Sequence, residues 1–135
     1  MGALVQVHAN GLLDASTDQS GAAVRLSTGP LRCRLMTANG SSTAAGTELA
    51  TSGGYTSGTG APSITFGAAA AGVSTSTNAQ TVTNMPATTV VGIEIWDSAG
   101  TPLRKWAGAL SANKTTNAGD TYSQAIGAVT LNLAT

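Results

Sequence analysis

The hydrophobic positions of this chain gather in short runs that glycine, asparagine and proline separate. The densest run covers residues 90–110, VVGIEIWDSAGTPLRKWAGAL, where two apolar segments flank the turn-forming residues 97–102. Turn formers between two segments rich in β-branched and aromatic residues predict a β-hairpin with a long connection. We therefore expect this hairpin to lie at the centre of the fold.

Strict alternation divides the first arm of the hairpin into one face with Val91, Ile93 and Ile95 and another with Val90, Glu94 and Trp96. The pattern of the second arm is less decisive. Burying Trp106 and Leu110 while Lys105 points outward is the less costly arrangement, because an unpaired buried ammonium is strongly destabilising. We also expect Glu94 to pair with Arg104 or Lys105 across the hairpin.

A second half-buried strand is predicted at residues 31–37, LRCRLMT, where apolar and basic residues alternate. Cys33 lies on the apolar face and is expected to be a small buried residue. Arg32 and Arg34 project together from the other face. Two readings stay open for this arginine pair: it holds a carboxylate of a neighbouring subunit, or both side chains are solvated.

Further strands are expected at residues 21–28 and 63–67, and an exposed edge strand at 73–83. Residues 111–120 are expected to be a turn-rich connection. Residues 121–135 are predicted to form a strand pair or one strand bent at Gly127. Short strands with turn signals between them, and no long amphipathic helix, predict an all-β fold, specifically a small antiparallel, jelly-roll-like β-sandwich.

Residues 38–62 form a long glycine-rich segment that is predicted to be a loop, with Glu48 and Tyr55 as its main anchors. Loops of this length in compact domains are often functional or interface elements. We therefore regard Glu48 and Tyr55, together with the arginine pair, as candidate interface residues. Residues 1–20 are treated as an N-terminal segment, in one reading an extended arm, and residues 21–135 as a single domain.

Composition points towards association with other chains. Alanine, threonine, glycine and serine make up more than half of the 135 residues, and only 4% are aromatic, so the core is expected to be thin. Charged residues are 9% and the formal net charge is zero. Because charge keeps isolated proteins apart, so neutral a surface suits permanent packing against other subunits. The absence of a basic tract gives nucleic-acid binding little support.

The sequence contains few groups that carry chemistry. His8 and Cys33 are its only histidine and cysteine, and its six carboxylates have no spacing typical of a metal or catalytic site. We therefore expect no catalytic residues, no cofactor and no metal. No apolar stretch is long enough to suggest a membrane helix, so we expect no membrane partner.

Several short motifs, in a consistent order, resemble a family of small virion proteins of tailed bacteriophages, described as tail-fibre-like or minor tail proteins. The motifs are LRCRLMTA at 31–38, GTEL at 46–49, SGGY at 52–55, ITFGAA at 64–69, VGIEIWD at 91–97, WAGAL at 106–110 and the turn at 114–121. Met36 stands where relatives often have histidine. Residues 1–20 also lack the amphipathic helix with which that family usually opens.

The resemblance implies a non-enzymatic structural protein on the surface of a virion, associated with the tail or its fibres. Its partners would be copies of itself in a homo-oligomer, with a trimer as one option, and other virion proteins. One alternative is a capsid decoration protein on the major capsid lattice. Another is a module that binds host glycans with Trp96, Trp106 or Tyr55 as a stacking platform.

Overall fold

The computed structural model describes residues 3–6 and 27–133, and within these residues the chain is built from antiparallel β-strands. The strands are β1 (Ala3–Leu4), β2 (Leu31–Ala38), β3 (Thr47–Glu48), β4 (Ser63–Ile64), β5 (Val73–Thr75), β6 (Gln80–Val82), β7 (Thr88–Trp96), β8 (Arg104–Thr116), β9 (Tyr122–Gln124) and β10 (Thr130–Asn132). One 3-10 turn covers Gly58–Gly60. The expectation of an all-β fold is confirmed. The predicted strand at 21–28 lies largely outside the described residues, as does most of the segment 1–20.

The predicted hairpin is the centre of the largest sheet, whose strand order is β1-β8-β7-β2-β3, with β4 also pairing with β2. The second arm of the hairpin is longer than expected, because β8 continues to Thr116. The prediction that residues 111–120 are a connection is therefore wrong for 111–116. Thr115 and Thr116 pair with Thr89 and Thr88 of β7, and the Thr89 and Thr115 hydroxyls lie 2.9 Å apart. Such cross-strand threonine pairs stabilise the pairing of two strands. The turn-forming residues of this segment, on which the prediction was based, do not indicate such pairs.

Two small sheets complete the fold, one formed by β5 with β10 and the other by β6 with β9. The expectation of a single exposed edge strand at 73–83 is wrong, because two strands of different sheets lie there and both Gln80 and Val82 are buried. Residues 121–133 form two strands rather than one. Gly127 lies in the turn between them with φ at 77°, a left-handed conformation that favours glycine.

The hydrophobic core draws on both the large sheet and the small ones. Its buried members include Cys33, Leu35, Tyr55, Ile64, Val82, Met85, Val90, Ile93, Ile95, Tyr122, Val129 and Leu131. Trp106 and Leu110 pack against this cluster, as expected. Val90 is fully buried and belongs to the same core cluster as Ile93 and Ile95, with which it was not expected to share a face, and the pairing register with β8 shifts between Val90 and Gly92. A register shift of this kind changes which face each later residue occupies.

The glycine-rich segment 38–62 is more ordered than a structureless loop. It contains β3 and the 3-10 turn, and it buries Leu49, Tyr55 and Ala61. Its tip packs closely on the chain beyond β6, where the Gly54 N–H donates to the Asn84 carbonyl at 2.8 Å. The segment is therefore fixed to the body of the protein by both apolar and backbone contacts.

Candidate functional site

Glu48 and Tyr55, two candidate interface residues, meet inside the protein at the edge of β2. The Tyr55 hydroxyl donates to Glu48 Oε1 at 2.8 Å and accepts from the Leu35 backbone N–H at 3.1 Å. The Gly58 N–H donates to the same carboxylate oxygen at 2.8 Å. Tyr55 is only 1% exposed. Its ring and hydroxyl are therefore engaged within the chain, and the prediction that Tyr55 could serve as an exposed stacking platform is wrong.

Arg34 links this cluster to the hairpin. One of its guanidinium nitrogens lies 3.3 Å from Glu48 Oε2, and its guanidinium carbon lies 4.1 Å from the centroid of the Trp96 ring. That distance is well within the range of a cation–π interaction. Arg34 is half-buried rather than solvated. Arg34 thus pairs with a carboxylate of its own chain, that of Glu48.

Glu94 is a buried carboxylate that Trp96 connects to these residues. It is 1% exposed and accepts hydrogen bonds from the Gly46 N–H at 2.8 Å, from Trp96 Nε1 at 3.0 Å and from Arg104 at 2.9 Å. Arg104 also donates to the Ala44 carbonyl at 2.7 Å. The expected pairing of Glu94 across the hairpin is confirmed with Arg104 as the partner. Several donors on one buried carboxylate offset much of its desolvation cost.

The other two hairpin charges form a separate buried pair. Lys105 Nζ lies 3.8 Å from Asp97 Oδ2, and the two side chains are 3% and 0% exposed. Asp97 Oδ1 also accepts the Leu103 N–H at 2.8 Å, which closes the hairpin turn. The expectation that Lys105 points outward is therefore wrong. The physical reason is that the ammonium is buried beside the Asp97 carboxylate. A paired charge is far less costly to bury than the unpaired one on which the expectation was based.

The remaining candidate side chains also make contacts within the chain. Arg32 donates to Ser98 Oγ at 3.3 Å and to the Ala61 carbonyl at 3.1 Å. Trp96 is half-buried, with Arg34 over its ring and its indole N–H on Glu94. Trp106 packs against the hydrophobic core. The structure thus brings Arg34, Glu48, Tyr55 and Trp96 into one connected polar cluster and leaves Trp106 outside it.

Burial raises the pKa of three core groups. Desolvation raises the pKa of the Cys33 thiol to about 12. It also raises the pKa of the Tyr55 and Tyr122 hydroxyls above their ordinary value, with smaller contributions from Cys33 in both cases and from Glu48 at Tyr55. A protonated buried thiol is a poor nucleophile. The expectation that Cys33 is a buried structural residue is confirmed by its 0% exposure.

The surface presents a different chemistry from the interior. Across residues 27–133 only two charged side chains are exposed, Lys114 and Asp120, and all the others are buried or half-buried. These two line one shallow groove of about 580 Å³ beside β8 and β9. Sequence reasoning assigned both residues to a connection and gave them no role. One sequence feature separates Lys114 and Asp120 from the buried Glu94 and Lys105: their neighbours in sequence are mainly polar or small rather than large and apolar.

Two smaller cavities of about 210 and 220 Å³ lie beside residues 108–109 of β8. The first is lined in part by Asn39 and Glu94, and the second in part by Lys114 and Gln124. In the part of the chain that the structure describes, no three histidine, cysteine or acidic residues are grouped as a metal site would require. Over the same residues, no helix is long and apolar enough to cross a membrane.

Comparison with known proteins adds no relative to this description. Family models, curated proteins and solved structures were all compared with the chain, and none of them matches it.

Proposed function

We propose that this chain is a non-enzymatic structural protein of a tailed-bacteriophage virion, associated with the tail or its fibres, which acts by assembling with copies of itself and with other virion proteins. The observation that carries the proposal is the placement of charge. Glu48, Glu94 and Asp97 all contact cationic side chains of the same chain, whereas the outer surface is dominated by neutral side chains.

This arrangement favours permanent association for a physical reason. Packing two surfaces together removes water from every group between them, and the cost is largest for charged groups. The cores of protein interfaces are accordingly depleted in charged residues. A surface rich in threonine, serine, alanine and glycine can be buried against a neighbour at low cost, because its hydroxyl and backbone groups both donate and accept hydrogen bonds.

The finer architecture that we propose is a small jelly-roll-like sandwich, with the six-stranded sheet as one layer and the two small sheets contributing to the other. Its support is the composition of the core. Leu35 and Ile95 of the large sheet belong to the same buried cluster as Val82 of β6, Tyr122 of β9 and Leu131 of β10. Packing a sheet against other strands in this way buries one face of each.

Two other roles have less support. A capsid decoration protein would need the same neutral surface, so the two virion positions differ in copy number and location rather than in chemistry. A host-glycan module would need exposed aromatic rings, but Tyr55 is buried and the ring of Trp96 is covered by Arg34. The tail or fibre position comes first because of the sequence resemblance, and glycan binding comes last because its aromatic rings are covered.

The proposal is tested by locating the protein on purified particles of the phage that encodes it, using antibody labelling and quantitative mass spectrometry. Labelling of the tail with a copy number in the tens or below is the expected result. Copies in the hundreds on the head would replace the tail position with capsid decoration. Absence of the protein from complete particles would overturn the proposed function altogether.

A further inference from the structure

The only two exposed charges of residues 27–133 lie in one groove and have opposite sign. Lys114 lies near the C-terminal end of β8, and Asp120 lies in the connection from β8 to β9. The groove of about 580 Å³ is otherwise lined by neutral polar and aromatic residues, namely Asn113, Thr115, Thr116, Thr121, Tyr122 and Ser123. The surface formed by residues 27–133 thus carries both of its exposed charges in one place.

Both charged groups are held in position by their own chain. Lys114 Nζ donates to the Ser123 carbonyl and lies 4.9 Å from the centroid of the Tyr122 ring. Asp120 Oδ2 accepts the Asn117 N–H at 2.8 Å. An ammonium has three donors and a carboxylate about four acceptor positions. Each group therefore keeps hydrogen-bonding capacity for a partner outside the chain, and its position requires little further ordering.

We propose that this groove is a two-fold contact between two copies of the chain, in which Lys114 of each copy pairs with Asp120 of the other. The inference rests on the proposed function, since it names a surface through which copies associate. In a two-fold contact every interaction occurs twice, because the same patch is used by both subunits. A patch with one positive and one negative group is complementary to itself in that arrangement.

The same charges argue against other partners. A polyanion that approaches Lys114 is repelled by Asp120, and a basic peptide that approaches Asp120 is repelled by Lys114. The neutral neighbours Asn113, Thr115, Thr121 and Ser123 can donate and accept towards an identical surface without any like-charge contact. A second copy is therefore the partner that can pair with both Lys114 and Asp120 at once.

The experiment uses the full chain with Lys114→Glu and Asp120→Lys, each alone and then mixed in equal amounts. Each variant alone places two like-charge contacts in the two-fold interface, so we expect its self-association to weaken about tenfold or more. In the mixture, one variant supplies two acidic groups and the other two basic groups. Every cross-contact between the two variants then becomes attractive, and heterodimers are expected to form.

The readouts are sedimentation velocity for the size of the complex and native mass spectrometry for its composition, with circular dichroism to show that each variant is folded. Recovery of association only in the mixture supports the contact, because a folding defect or an altered pairing within one chain is not repaired by another chain. Wild-type protein that associates while both variants associate equally well overturns the groove and leaves the assembly function standing. Wild-type protein that stays monomeric at all concentrations overturns self-assembly itself.

Discussion

The Tyr55 hydroxyl accepts a hydrogen bond from the Leu35 backbone N–H at 3.1 Å, so a side chain takes the place of a neighbouring strand. On this edge β2 pairs with β3 near one end and with β4 near the other, and neither strand pairs with residues 33–35 between them. The Leu35 carbonyl is bonded by the Leu49 N–H, and the Cys33 N–H by the Pro62 carbonyl. Tyr55 thus completes a ladder that would otherwise contain a buried, unsatisfied donor.

This relationship predicts that Tyr55→Phe is destabilising although it removes only one oxygen atom. The Leu35 N–H would lose its acceptor and Glu48 one of its donors, at a cost of about 1–3 kcal/mol in the free energy of unfolding. Urea unfolding followed by tryptophan fluorescence measures this change.

Tyr122→Phe is the matched control. Tyr122 is equally buried, but its hydroxyl has no hydrogen-bond partner among the described residues. Removing that hydroxyl should leave the free energy of unfolding unchanged or raise it, because an unsatisfied buried polar group is lost. Equal destabilisation by both substitutions would contradict the role assigned to Tyr55.

The buried ion pair between Glu94 and Arg104 gives a second prediction. Glu94→Gln preserves the size of the side chain but leaves Arg104, whose side chain is 9% exposed, without its carboxylate. Breaking a buried pair from one side costs about 3–5 kcal/mol. We therefore expect a large fall in the free energy of unfolding, measured by urea titration.

The double variant Glu94→Gln with Arg104→Gln separates the pair from the individual residues. If the two charges depend on each other, the double variant is less destabilised than the sum of the single variants, because no charge is left buried alone. Additive effects would show that the two side chains stabilise the fold independently and would contradict the pairing.

Sequence periodicity was sufficient to predict β7 and β2 as strands, because alternation over seven or more residues is a local signal. It was insufficient for Lys105, since the burial of that ammonium depends on Asp97, which the turn brings back alongside it. It was also insufficient for Tyr55, whose partner Leu35 is 20 residues away in sequence. Contacts of this kind depend on where loops return to the sheet, which alternation does not encode.

For the charged residues too, the sequence indicates some features and only the structure shows others. The composition shows that charged residues are few, but it does not show that most of those in residues 27–133 are withdrawn from the surface. Arg32 and Arg34 lie on one face in sequence, as expected, yet their partners Ser98 and Glu48 come from the hairpin turn and from β3. Only the folded structure shows that, within residues 27–133, the exposed charges are at Lys114 and Asp120.

Close packing of the loop tip gives a third prediction, for Gly54→Ala. A β-carbon at residue 54 would lie 1.9 Å from the Thr83 carbonyl oxygen, which is backbone and cannot rotate away. We expect the loop to separate from residues 83–84, with loss of the Gly54–Asn84 hydrogen bond and a lower melting temperature. Protease sensitivity at residues 50–60 should rise as well. Gly100→Ala is the control, since nothing lies within 4 Å of a β-carbon there, and a similar effect of both substitutions would argue against the packing.

The buried thiol gives a prediction for alkaline pH. The pKa of Cys33 is raised to about 12 from an ordinary value of 9.0. Between these values the unfolded chain releases the thiol proton while the folded chain keeps it, so stability is full below about pH 9 and falls as pH rises towards 12. Tyr55 and Tyr122, whose pKa values are also raised, add a loss of the same sign above their ordinary pKa of 10.0.

Cys33→Ala separates the contribution of the thiol from that of the tyrosines. The variant should be less stable near neutral pH because it leaves a small cavity, but its stability should decline less steeply between pH 9 and 10, where ionisation of the thiol in the unfolded chain runs ahead of that of the tyrosines. Urea titrations at a series of pH values measure both effects. In the wild-type protein, a thiol reagent at pH 8 should modify Cys33 in urea and not in the folded state. Rapid modification of the folded protein would show that Cys33 is accessible and would contradict its burial.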